Sequence, residues 1–263
     1  YFYLSLRMRY FVHQDSIVRK IWGQTDTILF IFAGSSAEFA LNKAVDWLYF
    51  TGRLPADPIG RLFSTVSYAR AIVFSENQAA LRAIDSMAAI HAQVEAKRHA
   101  QIPDWAYRDV LSMLIDYSIR SFELLHRKLT HEETNEIFAV FNRVGQRMGL
   151  NDLPETLEAW QDMRIQQLQR DLIFGKYTHD LFTQYRKHLG SFRFRLLLEA
   201  QALVAPAPVA ELLRLRKATR SHPLIITYKL FRAIGLDDLL KQLILPARHK
   251  SQIMALDMPA QRP

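Results

Sequence analysis

The chain has 263 residues, 49% apolar and 11% aromatic, with only 9 glycines and 10 prolines; this excludes a collagen-like or largely disordered chain and favours long regular elements with short loops. It contains no cysteine, which excludes disulfides, iron–sulfur clusters, thiolate-ligated or covalently attached haem, cysteine nucleophiles and Cys-ligated zinc. The net charge is +8, but Lys and Arg are scattered and form no run long enough for a nucleic-acid patch, so the charge leaves weak attraction to anionic membrane surfaces as the expectation.

Taken from the start, the chain opens on Tyr1 rather than Met, which reads as a processed or truncated product. Arginines interrupt the apolar run "YFYLSLRMRYF", so it is not a signal peptide. A cytoplasmic protein is the expectation, with peripheral membrane contact left open. Periodicity is helical almost everywhere, and no segment alternates with period two. The predicted helices are 15–22, 26–50, 58–74, 76–98, 104–128, 130–148, 155–172, 177–188, 191–202, 208–218, 223–232 and 236–243. Together they predict an all-α fold, a single-domain multi-helix bundle over 1–258 with a tail at 259–263.

The most apolar window, "TILFIFAGSSAEFAL" at 27–41, is interrupted by Gly34, two serines and Glu38 and is too short to span a bilayer, so it predicts a buried helix. The next helix has Asp57 as its cap and Pro58 in its first turn. Leu62, Val66, Ala69 and Val73 form its apolar stripe, with Thr65 inside the stripe and Arg61 at its edge. On the helix after it, His91 falls mid-stripe with Ala80, Ile84, Met87 and Val94, while Arg82, Asp85, Ser86 and Gln93 lie opposite.

Further along, "THEE" at 130–133 is a capping box, "DLPET" at 152–156 places a proline at a helix start, and Gly149 and Gly190 suit helix C-termini. "ELLH" at 123–126 has the spacing of a di-iron ligand pair but lacks the second pair that such a site needs. His179 and His188 sit in mixed polar company and read as surface residues, and His222 precedes Pro223 at a helix start. "APAP" at 205–208 reads as an elbow between helices, and 226–245 is amphipathic with basic residues. No Gly-x-Gly-x-x-Gly, Walker loop, His-Glu-x-x-His or nucleophile elbow occurs.

Chemistry therefore rests on a few residues. A buried imidazole needs partners for its ring nitrogens, and a metal, haem iron included, is one such partner; ordinary hydrogen bonds are the other reading of His91. Thr65 either bonds back to its own helix or offers a hydroxyl to a ligand. Arg61 either extends to water along its stem or anchors an anion.

Four blocks then show a likeness. "SIVRKIWGQTDTILFIFAGSSAEFAL", "DPIGRLFSTVSYARAIVFS", "AAIHAQVEA" and "LTHEETNEIFAVFNRVGQRMGLNDLPETLEAW" resemble successive parts of the MpaB / latex-clearing rubber-oxygenase family, over about residues 15 to 200. The resemblance implies an all-α fold with a globin-like core, a non-covalent haem b, and oxidative cleavage of an apolar, isoprenoid-type substrate by dioxygen. It implies His91 as the iron ligand, with Arg61 and Thr65 in catalytic and cofactor-binding positions; Ser64 and Tyr68, on the same helix, are expected to bind the cofactor as well. The rival is a non-catalytic haem- or lipid-binding helical protein. The chain departs from the family pattern in places: Ser64 stands where the rubber oxygenase has a lysine, and Asn42 and Lys43 where many members have His-Pro. Asp116 and Tyr117 stand near a usual Trp-Val-His, and Asp46 is the carboxylate nearest to the rubber oxygenase's glutamate.

Overall fold

A computed structural model describes residues 9–50, 52 and 56–215. The helices predicted at 223–232 and 236–243, the amphipathic stretch 226–245, His222 and the tail lie outside the described residues. The described residues form helices α1 (Ile17–Trp22), α2 (Thr25–Leu41), α3 (Asp46–Phe50), α4 (Pro58–Phe74), α5 (Asn77–Arg98), α6 (Asp104–Leu125), α7 (His131–Arg147), α8 (Leu157–Arg170), α9 (Lys176–Val204) and α10 (Ala207–Leu212). Among them there is no strand, only isolated antiparallel bridges joining Tyr10 to Glu76 and Asn42 to Leu172. The all-α expectation holds. None of these helices is long and apolar enough to cross a membrane.

Helix α2 is the axis of the bundle. Apolar residues surround it, as expected of a helix covered on every side, and α6, α9, α1 and α10 pack against it. Its Ile28, Ile31 and Phe32 join Trp22, Tyr117, Ile137, Phe141 and Trp160 in the main core. The two core tryptophans satisfy their indole N–H groups on small hydroxyls: Trp22 donates to Ser118 (3.2 Å) and Trp160 to Ser112 (3.2 Å). Such pairing removes the cost of burying an unmet donor. At Gly34 a Cβ would stand 2.2 Å from the Tyr117 ring, so this helix crossing requires glycine.

Local signals set most boundaries. Asp57 accepts from the Gly60 N–H (2.9 Å) and starts α4 where expected. Thr130 and Glu133 close both halves of the capping box at 3.2 and 3.0 Å. Gly149 (φ 79°) follows α7, and Gly190 (φ 73°) kinks α9 between the two helices predicted there. Ala205 and Pro206 form the elbow into α10.

Other boundaries differ from the sequence reading. The predicted helix 26–50 breaks after Leu41, because tertiary bonds capture the backbone there. Ile173 donates to the Leu41 carbonyl (2.8 Å) and Lys43 to the Asp171 carbonyl (2.9 Å), while Asn42 turns extended and accepts from the Ala44 N–H (2.8 Å). Helix α8 starts at Leu157 rather than 155, because Thr156 is the cap and accepts from Ala159 (3.2 Å). Pro154 therefore precedes the first turn; its carbonyl accepts from Asn142 (2.9 Å). Helix α6 stops at Leu125, where His126 leaves helical geometry and stacks on Phe122 with ring centroids 4.5 Å apart. Helix α10 ends at Leu212, and the left-handed Arg214 (φ 51°) closes that turn.

Candidate functional site

Helices α4 and α5 form an antiparallel hairpin, because only Ser75 and Glu76 separate them. Arg61 and His91 stand at nearly equal sequence distances from that turn, so the hairpin sets them opposite each other. Along α4, Val66, Ala69, Ile72 and Val73 are buried; the side chain of Leu62 lies outside the described residues. Asp57 caps so closely on Gly60 that a Cβ there would meet its carboxylate at 2.2 Å. The tight first turn fixes the backbone from which Arg61 projects.

Arg61 is half-buried, and its Nη1 donates to Ser64 (2.9 Å) and to Thr65 (3.3 Å). Both hydroxyls donate in turn to the Arg61 carbonyl, at 2.7 and 3.3 Å. Ser64 and Thr65 thus back-bond within the helix and hold the guanidinium in place. Tyr68, half-buried, stands one turn beyond Ser64.

On α5 the stripe around His91 has the expected composition. Ala80 and Ile84 are buried, Met87 and Val94 half-buried, and Arg82, Asp85, Ser86 and Gln93 exposed. His91 itself is half-buried rather than enclosed, because the C-terminal turns of α5 lie away from the main core. Its Nδ1 is buried and has no hydrogen-bond partner among the described residues. Burial, followed by the Arg61 charge, pulls the His91 pKa below its ordinary value, and Glu95 opposes them. Burial and the Arg61 charge both favour the neutral imidazole, the form that binds a metal.

Sequence reasoning did not single out the residues on the other side of the ring. The Tyr107 ring lies 5.2 Å from His91, centroid to centroid. Its hydroxyl donates to Glu95 Oε1 (3.1 Å), and the Ile102 N–H donates to the same oxygen (2.9 Å). The signal for Glu95 was present as the fourth residue after His91 in "HAQVE", since residues so spaced share a helix face. Asp46 is engaged elsewhere: Arg98 donates to it (2.6 Å) and stacks on Trp47 at 4.0 Å.

Asn42, Asp116 and Tyr117 lie in a polar network inside the bundle. Arg164 of α8 forks onto Glu38 of α2 at 2.5 and 2.6 Å and donates to Asp116 at 2.9 and 3.1 Å. Tyr117 donates to Glu38 (2.9 Å), and Arg120 to Asp116 (2.7 Å). Burial works against the Arg164 charge, but Glu38 and Asp116 outweigh it and raise its pKa. Beside this cluster Asn42 donates to Asp109 (2.7 Å), whose second oxygen is buried without a partner. Burial raises the Asp109 carboxyl to about 7. Glu38 was visible in the sequence as a charge inside an apolar window; nothing near Arg164 marked it as buried.

The remaining histidines do not assemble a site. Glu123 of "ELLH" accepts from Lys128 (2.6 Å) and from the Leu129 N–H (3.2 Å), and His126 stacks on Phe122. His179 is exposed and His188 half-buried. No group of three or more His, Asp or Glu side chains among the described residues could hold a metal ion. The chain is an all-α protein.

Comparison with known families agrees with this architecture. Residues 20–235 match the family described as "ER-bound oxygenase mpaB/B'/Rubber oxygenase, catalytic domain". The chain belongs to this family of oxygenases, and the resemblance seen in its four sequence blocks is correct. No curated protein and no solved structure matches it.

Proposed function

We propose that the protein is a haem b-dependent oxygenase that uses dioxygen on an apolar, isoprenoid-type substrate, with His91 as the ligand to a non-covalently held haem. The observation that carries this reading is the buried Nδ1 of His91, without a hydrogen-bond partner among the described residues, with Arg61 on the preceding helix acting on the same imidazole. The donor set suits the group: a porphyrin brings four of its own ligands and asks one imidazole of the protein. Haem, when bound, would supply the iron that binds and activates dioxygen.

This chain's own residues have distinct parts in that scheme. His91 offers a neutral imidazole lone pair. Arg61 offers a guanidinium to an anionic group, a haem propionate or charge developing on oxygen. Ser64 and Thr65 hold that guanidinium through the bonds at 2.9 and 3.3 Å. Tyr68, half-buried on the same helix, is assigned to the cofactor with them. The four family positions at which this chain differs do not remove His91, Arg61 or Thr65.

The test is spectroscopic. Purified protein, titrated with hemin, should develop a Soret band that is lost in His91→Ala while the far-ultraviolet helical signal is retained. Protein that stays colourless after hemin addition overturns the haem reading. With haem bound, oxygen uptake on an isoprenoid lipid separates an oxygenase from a carrier.

A further inference from the structure

A cation and an anion, Arg61 and Glu95, both act on His91. Arg61 approaches from α4, and Glu95 stands one turn along α5 from the imidazole, on the same face. Glu95 is held, not free: one of its oxygens accepts from both the Tyr107 hydroxyl (3.1 Å) and the Ile102 N–H (2.9 Å). Tyr107 also touches the His91 ring, 5.2 Å between centroids, so one side chain contacts both members of the pair. The turn between α5 and α6 is thereby tied to the carboxylate one helical turn from the imidazole. His99, in left-handed conformation (φ 53°), ends α5 and sends the chain back so that Ile102 and Tyr107 reach Glu95.

We propose that Glu95 is a positioning residue for His91, fixing the orientation and basicity of the imidazole as a ligand, and that Tyr107 and the Ile102 amide hold Glu95 in place. The proposal rests on the haem reading above. No hydrogen bond joins Glu95 to His91 among the described residues; Glu95 acts on the imidazole through its charge and through the Tyr107 ring that it holds against it. A negative charge near the ligand also favours the more positive, ferric state. Arg61 acts in the opposite sense, so the two charges together set the balance.

The experiment uses the full chain reconstituted with hemin, as wild type, Glu95→Gln and Tyr107→Phe. The readouts are the hemin dissociation constant and the ferric/ferrous midpoint potential, with thermal melting of each apoprotein alongside. Glu95→Gln should weaken hemin binding about 10-fold or more and raise the potential. Tyr107→Phe keeps the carboxylate but drops one anchor, and should move both readouts in the same direction by less. Glu95→Gln that lowers the melting temperature yet leaves affinity and potential at wild-type values overturns the proposal, because a merely structural glutamate behaves that way. Wild-type protein that takes up no hemin, or a Soret band that survives His91→Ala, overturns the haem reading and this proposal with it. Hemin bound through His91 with a potential indifferent to Glu95 overturns the proposal alone.

Discussion

Arg164→Met is the sharpest test of the bundle's interior. In the native structure the Arg164 side chain is 6% exposed and the Glu38 side chain 2%, so the pair is removed from water almost completely. Asp116, at 10%, shares the same guanidinium. Removing the cation strands Glu38 with only the Tyr117 hydroxyl and leaves Asp116 to Arg120, which is 39% exposed. Breaking a buried pair from one side costs roughly 3–5 kcal/mol, because the uncompensated charge remains buried. For a chain of this size each kcal/mol lowers the melting temperature by about 2–4 °C, so the variant should melt roughly 6–20 °C lower by circular dichroism. Two controls fix the cause. Arg120→Met, at the exposed edge, should cost less than about 1 kcal/mol. The triple variant Glu38→Gln, Asp116→Asn, Arg164→Met removes the charges together and should regain most of the loss. A loss below about 1 kcal/mol for Arg164→Met, or a triple variant no better than the single, refutes the reasoning.

Three further outcomes are expected. Asp109, raised to about 7 by burial, holds more protons folded than unfolded. Its contribution to stability is therefore fully present below the ordinary carboxylate range and declines as pH rises toward 7; the stability difference between pH 4 and 8 should shrink in Asp109→Asn, and an unchanged slope in urea titrations would exclude the assignment. Gly34→Ala drives a Cβ into the Tyr117 ring at 2.2 Å and should destabilise by about 1–3 kcal/mol, read as a fall in the urea midpoint. Thr130→Ala removes the cap on the Glu133 N–H and should cost about 1 kcal/mol in the same measurement, a null effect being inconsistent with a formed cap.

The parts of the fold that sequence made legible are those set by local chemistry. Asp57–Pro58, Thr130/Glu133, Gly149 and Gly190 each act on residues within one turn, so a reader needs only the neighbouring letters. The hairpin of α4 and α5 follows from two helices with almost no loop between them, and it carries Arg61 to His91. What could not be read depends on partners distant in the chain. The break after Leu41 is made by Asp171 and Ile173. Arg164 looks like any arginine on an amphipathic helix until it meets Glu38 of α2 and Asp116 of α6. Tyr107 reaches His91 only because the α5–α6 turn folds back through a left-handed His99, a conformation that no letter there announces.

Helix α6 contributes side chains to both polar clusters. Tyr107, near its start, faces His91 and Glu95; Asp116 and Tyr117 face Arg164 and Glu38. Tyr107 and Asp116 are nine positions apart on the helix, about 13 Å along the axis. Pairs farther apart than about 7–10 Å with no shared partner act independently, and among the hydrogen bonds of the two clusters none joins them. The departures at Asn42, Asp116 and Tyr117 all fall on the interior side, where each has acquired a hydrogen-bonded partner in this chain. Changes there should act on stability and leave the histidine alone. The melting losses of Tyr107→Phe and Arg164→Met should therefore add within about 0.5 kcal/mol in the double variant, and Arg164→Met, below its melting temperature, should bind hemin as wild type does. Coupling well beyond that, or a hemin affinity that follows Arg164, would show that the interior network reaches the histidine after all.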